Sequence, residues 1–127
     1  MRVRADRGAA VPEFVLVLAL LIPIVVAIMQ IALVMHVRNT ITAAAATGAR
    51  TGAGLDVPVG AAADRTRAAI ADSIASRFAD DVTARHAVVD GVRVVEVTVR
   101  ADVPALGVVG PALTVEGVGH AVLQDMP

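Results

Sequence analysis

The sequence contains no cysteine, no tryptophan and no tyrosine, and only two phenylalanines. Without cysteine there is no disulfide framework, no thiolate zinc site and no thiol nucleophile. Two phenylalanines are too few to form a stacking platform for sugars or nucleobases. Any hydrophobic core must therefore be built from valine, leucine, isoleucine and alanine.

Lysine is absent as well, so all 11 basic residues are arginines, against 12 acidic residues and a formal net charge of −1. A chain this close to neutral has no basic surface for nucleic acid, and we expect no nucleic-acid partner. We interpret the arginine bias, together with the abundant alanine and valine, as the product of a GC-rich coding sequence rather than as a binding signal.

The residues that most often carry catalysis or metal binding are scattered. His36, His86 and His120 are far apart, and no two have metal-ligand spacing on one element. Ser73 and Ser76 lie in a helical pattern, not in a nucleophile elbow. The glycines of "GARTGAG" lack the Lys-Ser/Thr ending of a phosphate-binding loop. We therefore predict a protein that is not an enzyme and that has no cofactor, metal or small-molecule substrate.

Apolar residues, in contrast, are abundant: they make up 57% of the chain, and the mean hydropathy is +0.74. From Phe14 to Met35 no residue is charged, and only Pro23 and Gln30 interrupt the apolar run. As a helix this run is roughly 33 Å long, enough to cross the hydrocarbon core of a bilayer. The remaining chain is too small to wrap such a helix, so the sequence predicts one transmembrane helix.

Two features refine the predicted span. Pro23 is expected to kink it, which membrane helices tolerate, and Gln30 is expected to bond either a neighbouring helix or a main-chain group. The arginines favour a cytoplasmic N-terminus with the remainder outside, since three precede the span and two follow soon after it: Arg2, Arg4 and Arg7 before, and Arg38 and Arg50 after.

Beyond the span, the helix is expected to continue outward, so that residues 9–47 form the membrane helix and its extension. Glycine and proline then indicate a linker over residues 48–60. A second, amphipathic helix is predicted from Ala61 to Asp81, because Ile70, Ile74 and Phe78 recur every four residues. Ala71 and Ala75 share this face, and the charged positions form a solvated surface: Asp64, Arg65, Asp72, Arg77 and Asp80.

The period changes to two from His86 onward. Asp90-Gly91 separates two valine-rich runs, which indicates a hairpin because both residues tolerate positive φ. The second run alternates, with one set of residues predicted to face the core and the other the solvent: Val95, Val97, Val99, Ala101 and Val103 inward, and Glu96, Thr98, Arg100 and Asp102 outward. Residues 104–111 read as a loop, and residues 112–124 as a strand weakened by glycine.

The predicted fold class is therefore α+β: a transmembrane helix that extends outward, then an exported domain over residues 61–127. This domain consists of one amphipathic helix and a two- to three-stranded antiparallel sheet. A core of this size is marginal alone, so contact with partner subunits is expected to support it.

The junction before the span has an unusual order. A basic leader, residues 1–8, ends at Gly8, and four residues later Glu13 and Phe14 precede the apolar run. An ordinary secretory signal has a shorter apolar stretch followed by a small-residue cleavage site, which the alanines at 43–46 offer. Release of a small secreted domain by signal peptidase near Ala46 is therefore one alternative. A plain single-pass anchor carrying an unrelated binding domain is another.

The order G-x-x-x-x-E-F, followed by about twenty apolar residues, resembles the class III signal of type IV pilin-like proteins. It is most similar to the TadE-like pseudopilins of the tight-adherence (Tad/Flp) system. The segment "RGAAVPEFVLVLALLIPIV" carries the resemblance, and the rest of the chain follows the family only loosely. TadF-type and TadG-type proteins have similar N-termini, so the subtype is left open.

The resemblance implies a minor pilin-like structural component in a bacterial inner membrane. A prepilin peptidase would cut after Gly8 and leave Ala9 as the new N-terminus. Glu13, followed by Phe14, would then set subunit register by binding the Ala9 amine of an adjacent subunit. The plainer interpretation is that Glu13 lies among the lipid headgroups. The expected partners are the lipid bilayer, the prepilin peptidase and other pilin-like or Tad subunits, whether in the filament, at its tip or at its base.

Overall fold

The protein, described by a computed structural model over residues 10–106 and 112–124, consists of two helices, a short 3-10 helix and one sheet. The helices are α1 (Ala10–Gly52) and α2 (Val59–Ser73), followed by the 3-10 helix Ser76–Ala79. The strands are β1 (Asp81–Val89), β2 (Val92–Val103) and β3 (Leu113–Val122), which form an antiparallel sheet in the order β1-β2-β3. The predicted α+β class is confirmed, with three strands in the sheet.

The hairpin between β1 and β2 turns where the sequence predicts. Asp90 and Gly91 have φ of 51° and 80°, and both lie in the left-handed region that a two-residue hairpin turn requires. The predicted alternation of β2 is also confirmed, since its inward set is buried and its outward set is wholly or partly exposed. β1, however, begins at Asp81, five residues before the predicted start at His86.

The second helix is shorter than predicted. It ends at Ser73 rather than at Asp81, and Asp81 instead begins β1, where it pairs with Arg100 in the sheet. Ile70 and Phe78 are both buried, but they belong to separate elements. Their four-residue spacing therefore reflects two successive elements that contribute to one core. Ala71, which was predicted to share the apolar face, is exposed.

The C-terminal half of α1 is part of the core of the α+β domain. Its buried residues pack with the inner face of the sheet and with α2, and they are almost all small: Val37, Ile41, Ala44, Ala45, Gly48, Ala49 and Gly52. The helix runs on to Gly52, past its predicted end at residue 47. The anchor and the core are thus one uninterrupted helix.

Gly48 and Gly52, which the sequence indicated as helix-ending residues, instead allow close helix packing. A Cβ atom on Gly48 would collide with the Thr66 hydroxyl and the Ala62 carbonyl oxygen of α2. On Gly52 it would lie 2.6 Å from the Ala62 Cβ. Helix α1 can therefore touch α2 only because these positions carry no side chain.

The glycines of β3 serve the same purpose. A Cβ atom on Gly117 would lie 2.9 Å from Ile41 Cγ1, and one on Gly119 would collide with the main chain of Ala45 and Ala46. Glycine in a strand interior often marks such a close approach of another backbone. The residues expected merely to weaken the strand are thus what let α1 lie directly on it.

Replacing Gly48 with alanine is expected to destabilise the fold by about 1–3 kcal/mol, because the added methyl forces α1 and α2 apart. Helix propensity alone predicts the opposite sign, a gain of up to about 1 kcal/mol. Gly60→Ala in the first turn of α2 is the matched control, since a Cβ there meets nothing within 4 Å. Thermal unfolding of the full chain in detergent micelles measures both. Equal stability of the two variants would contradict the packing role of Gly48.

Candidate assembly and membrane surface

The N-terminal half of α1 is an apolar surface that the rest of the described chain leaves uncovered. Its most apolar 18-residue window has a mean hydropathy of 3.0 and is 0% buried. Large side chains along it are widely exposed, including Phe14 at 62% and Leu20 at 70%. An apolar surface this long requires a covering medium or partner. The helix is long and apolar enough to cross a membrane, as a single anchor does.

The residues of the predicted processing and register site lie at the start of this helix. Gly8 and Ala9 fall outside the described residues. Glu13 lies in the first turn of α1, where the helix dipole favours a carboxylate. Glu13 and Phe14 are both exposed, and no residue of the described chain forms an ion pair or side-chain hydrogen bond with Glu13. The roles of these four residues stay predictions.

Within the predicted span, α1 continues through Pro23 without ending. Gln30 bonds main chain rather than another helix: its Nε2 donates to the Pro104 carbonyl at 3.3 Å, and its Oε1 accepts from the Leu106 N–H at 2.6 Å. Met35 is 46% exposed. The bonds of Gln30 join residues more than 70 positions apart, so no local pattern in the sequence indicates them.

The outer face of the sheet carries a cross-strand charge cluster centred on Glu96. Arg85 on β1 donates from Nε to Glu96 Oε1 at 2.7 Å, and His120 Nε2 on β3 lies 2.9 Å from Oε2. The hydrogen bond with His120, followed by the bond and charge of Arg85, lowers the pKa of Glu96 below its ordinary value, although partial burial opposes this. The alternation in the sequence predicts that Glu96 faces solvent. Its partners, Arg85 and His120, are set by the register of the strands, which the sequence pattern does not give.

Two further polar pairs continue along the same face between β2 and β3. Arg100 Nε lies 2.9 Å from Glu116 Oε2, and the Thr114 hydroxyl donates to Asp102 Oδ1 at 2.6 Å. Over residues 10–106 and 112–124, no group of three acidic or histidine side chains is placed to hold a metal ion. The arrangement on this face is therefore one of paired charges suited to solvent or to another polar surface.

An exposed apolar helix that carries a carboxylate in its first turn and continues into a small α+β domain defines a single-anchor architecture. Comparison with known families agrees: residues 8–50 match the TadE family, described as TadE-like protein. This stretch of the chain is similar to the TadE-like proteins, which confirms the resemblance predicted from the sequence. No curated protein and no solved structure is significantly similar to the chain.

We expect the Glu96 cluster to make stability depend on pH. Because the pKa of Glu96 is lowered in the fold, its contribution is present above the pKa of the unfolded chain and is lost as the pH falls through the folded value. Glu96→Gln should therefore lose less stability than the parent between about pH 6 and about pH 3. Urea unfolding in detergent micelles across this range measures the difference. Parallel pH profiles of parent and variant would show that the cluster stabilises nothing.

Proposed function

We propose that this protein is a minor pilin-like structural subunit of a Tad-type pilus or secretion apparatus, processed by a prepilin peptidase and assembled through α1. The observation that carries the proposal is the TadE-like match, which begins at Gly8 and includes Glu13, Phe14 and the exposed apolar half of α1. Within the described chain, this half is contacted only by the short segment after β2, through Gln30, and most of its surface is exposed. Its surface is thus available to lipid before assembly and to neighbouring helices afterwards.

In this proposal the peptidase cuts after Gly8 on the cytoplasmic side of the inner membrane. A glycine before the scissile bond lets the main chain approach the active site closely. The basic leader holds the cut site at the inner face until it is removed. Removal takes away three arginines and one aspartate, so the formal net charge changes from −1 to −3. It also creates a positively charged α-amine at Ala9.

Glu13 then acquires a counter-ion. A carboxylate drawn towards the bilayer centre costs about 2.5–3.5 kcal/mol, and the Ala9 ammonium of an adjacent subunit offsets part of that cost. The exposure of Glu13 in the first turn of α1, with Phe14 beside it, leaves both side chains open to a neighbour. Pairing of one carboxylate with one ammonium fixes the axial position of one subunit relative to the next.

The position of Ala46 argues against release of a secreted domain by signal peptidase. A cut there would detach Val37, Ile41 and Ala45, which are 1%, 0% and 0% exposed, from the sheet that they cover. The plain single-pass anchor remains the competing function. The plain anchor and the pilin-like subunit differ in whether the leader is removed. They also differ in whether genes for a secretion ATPase and a prepilin peptidase lie beside the gene for this protein.

The processing step predicts that intact protein extracted from membranes has lost its first eight residues. Gly8→Leu should abolish this loss without preventing insertion, because a bulky side chain keeps the main chain away from the peptidase. Ala5→Leu, within the same leader, is the control and should be processed normally. Intact-mass spectrometry measures all three proteins. A parent that keeps residues 1–8 would falsify the pilin-like proposal, and loss of about 45 residues would favour secretion.

The pairing of Glu13 predicts that Glu13→Ala is processed normally but assembles poorly. Glu13→Gln should share the defect, since it keeps the shape and loses the charge, whereas Glu13→Asp should retain part of the function. The amount of the subunit that co-purifies with its neighbouring Tad proteins after mild crosslinking measures assembly. Unchanged co-purification of Glu13→Gln would place this carboxylate simply among the headgroups.

A further inference from the structure

The segment that follows β2 lies beside the membrane half of α1. Ala105 and Leu106 border an open groove of about 400 Å³ whose other wall belongs to α1. The α1 residues of this wall all fall inside the span that the sequence predicts: Ile22, Pro23, Val26, Ala27 and Gln30. Part of the exported domain therefore reaches the depth that the sequence assigns to lipid.

This contact fixes where the bilayer can end. A span from Phe14 to Met35 would place Gln30 within the hydrocarbon together with Leu33 and Val34, which pack against the domain core. From Phe14 to Gln30, α1 is about 25 Å long, which lies at the short end of the lengths that cross a bilayer. The outer boundary therefore belongs near Gln30, about one and a half turns before Met35.

Two main-chain polar groups of the segment after β2 are paired with a side chain of α1. Irregular main chain is tolerated at membrane depth only where its polar groups are paired. Gln30 bonds both the Pro104 carbonyl and the Leu106 N–H, and Pro104 has no N–H to satisfy. The side chains that the segment exposes are apolar: Pro104 and Leu106 are exposed, the latter at 37%, and Ala105 is partly exposed.

We propose that Pro104–Leu106 is a second membrane-contacting element, inserted into the outer leaflet beside α1 and held there by Gln30, with lipid acyl chains filling the groove. The inference rests on the proposed insertion of α1 in a membrane. Lipid is the occupant because the groove is continuous with the apolar surface of α1, and its one polar side chain, Gln30, is already paired. An acyl chain fits a groove of this size, whereas a second helix, about 10 Å across, does not enter it.

The absence of cysteine makes the test clean, because a nitroxide spin label attaches only where a cysteine is introduced. Four single-site variants of the full chain are labelled in vesicles of phosphatidylethanolamine and phosphatidylglycerol. They are Leu20→Cys in the span, Leu106→Cys in the proposed element, Met35→Cys beyond the boundary and Thr83→Cys on the exposed face of β1. The relative accessibility of each label to oxygen and to a water-soluble nickel complex reports its depth.

We expect the highest oxygen-to-nickel ratio at position 20. The ratio at position 106 should be several-fold higher than at position 83, and the ratio at position 35 should be close to that at position 83. If the label at position 106 is as accessible to nickel as the label at position 83, while the label at position 20 remains in lipid, the proposal for residues 104–106 is overturned but the insertion of α1 is not. A label at 20 open to nickel overturns membrane insertion itself. Spin–spin broadening at 106 that disappears on dilution with unlabelled protein would assign the groove to a second copy and overturn the lipid proposal.

The role of Gln30 is tested with the same label at position 106. Gln30→Leu should lower the oxygen-to-nickel ratio there to near the Thr83 value, because the unpaired main-chain groups then seek water. Asn39→Leu removes another exposed amide from α1, away from the groove, and should leave the ratio unchanged. An unchanged ratio in Gln30→Leu would overturn the holding role of Gln30.

Discussion

The close approach of α1 to β3 and to α2 is the contact on which the rest of this structure depends. The chain has almost no aromatic residues, so it builds its core from small side chains and short distances rather than from large groups. Gly48 and Gly119 make those distances possible, since a methyl at either position would collide with the neighbouring element. Because interiors are close-packed, a core of this kind has little room to adjust. Helix α1 is consequently indispensable to the domain that it carries out of the membrane.

This dependence ties the exterior of the protein to its anchor. The same helix contacts lipid along its first half and the sheet along its second, with no linker between them. The inner face of the sheet is covered by α1, so the outer face, with Glu96 between Arg85 and His120, is the exposed one. In an assembly the helix would thus supply apolar contacts and the sheet polar ones.

Much of the fold was predictable where the determining pattern is local. The apolar run, the Asp90-Gly91 turn and the alternation of β2 are each set by neighbouring residues, and each is confirmed. Gly48 and the end of α2 were interpreted wrongly because their meaning depends on elements distant in sequence: α2 lies on Gly48, and the need to enter β1 ends the second helix at Ser73. The roles proposed for Gly8 and Glu13 come from the family resemblance, since isolated residues at a membrane edge do not specify a partner.

The direction of α1 relative to the sheet has a mechanical consequence. Gly117 lies against Ile41, and further along both elements the Gln124 N–H bonds the Ala53 carbonyl at 3.1 Å, so α1 and β3 run the same way. A force that draws the anchor out of the bilayer therefore acts along α1 and shears it lengthwise against β3. The interface between α1 and β3, where Gly117 and Gly119 lie, bears this force directly, because no flexible linker separates the anchor from the domain.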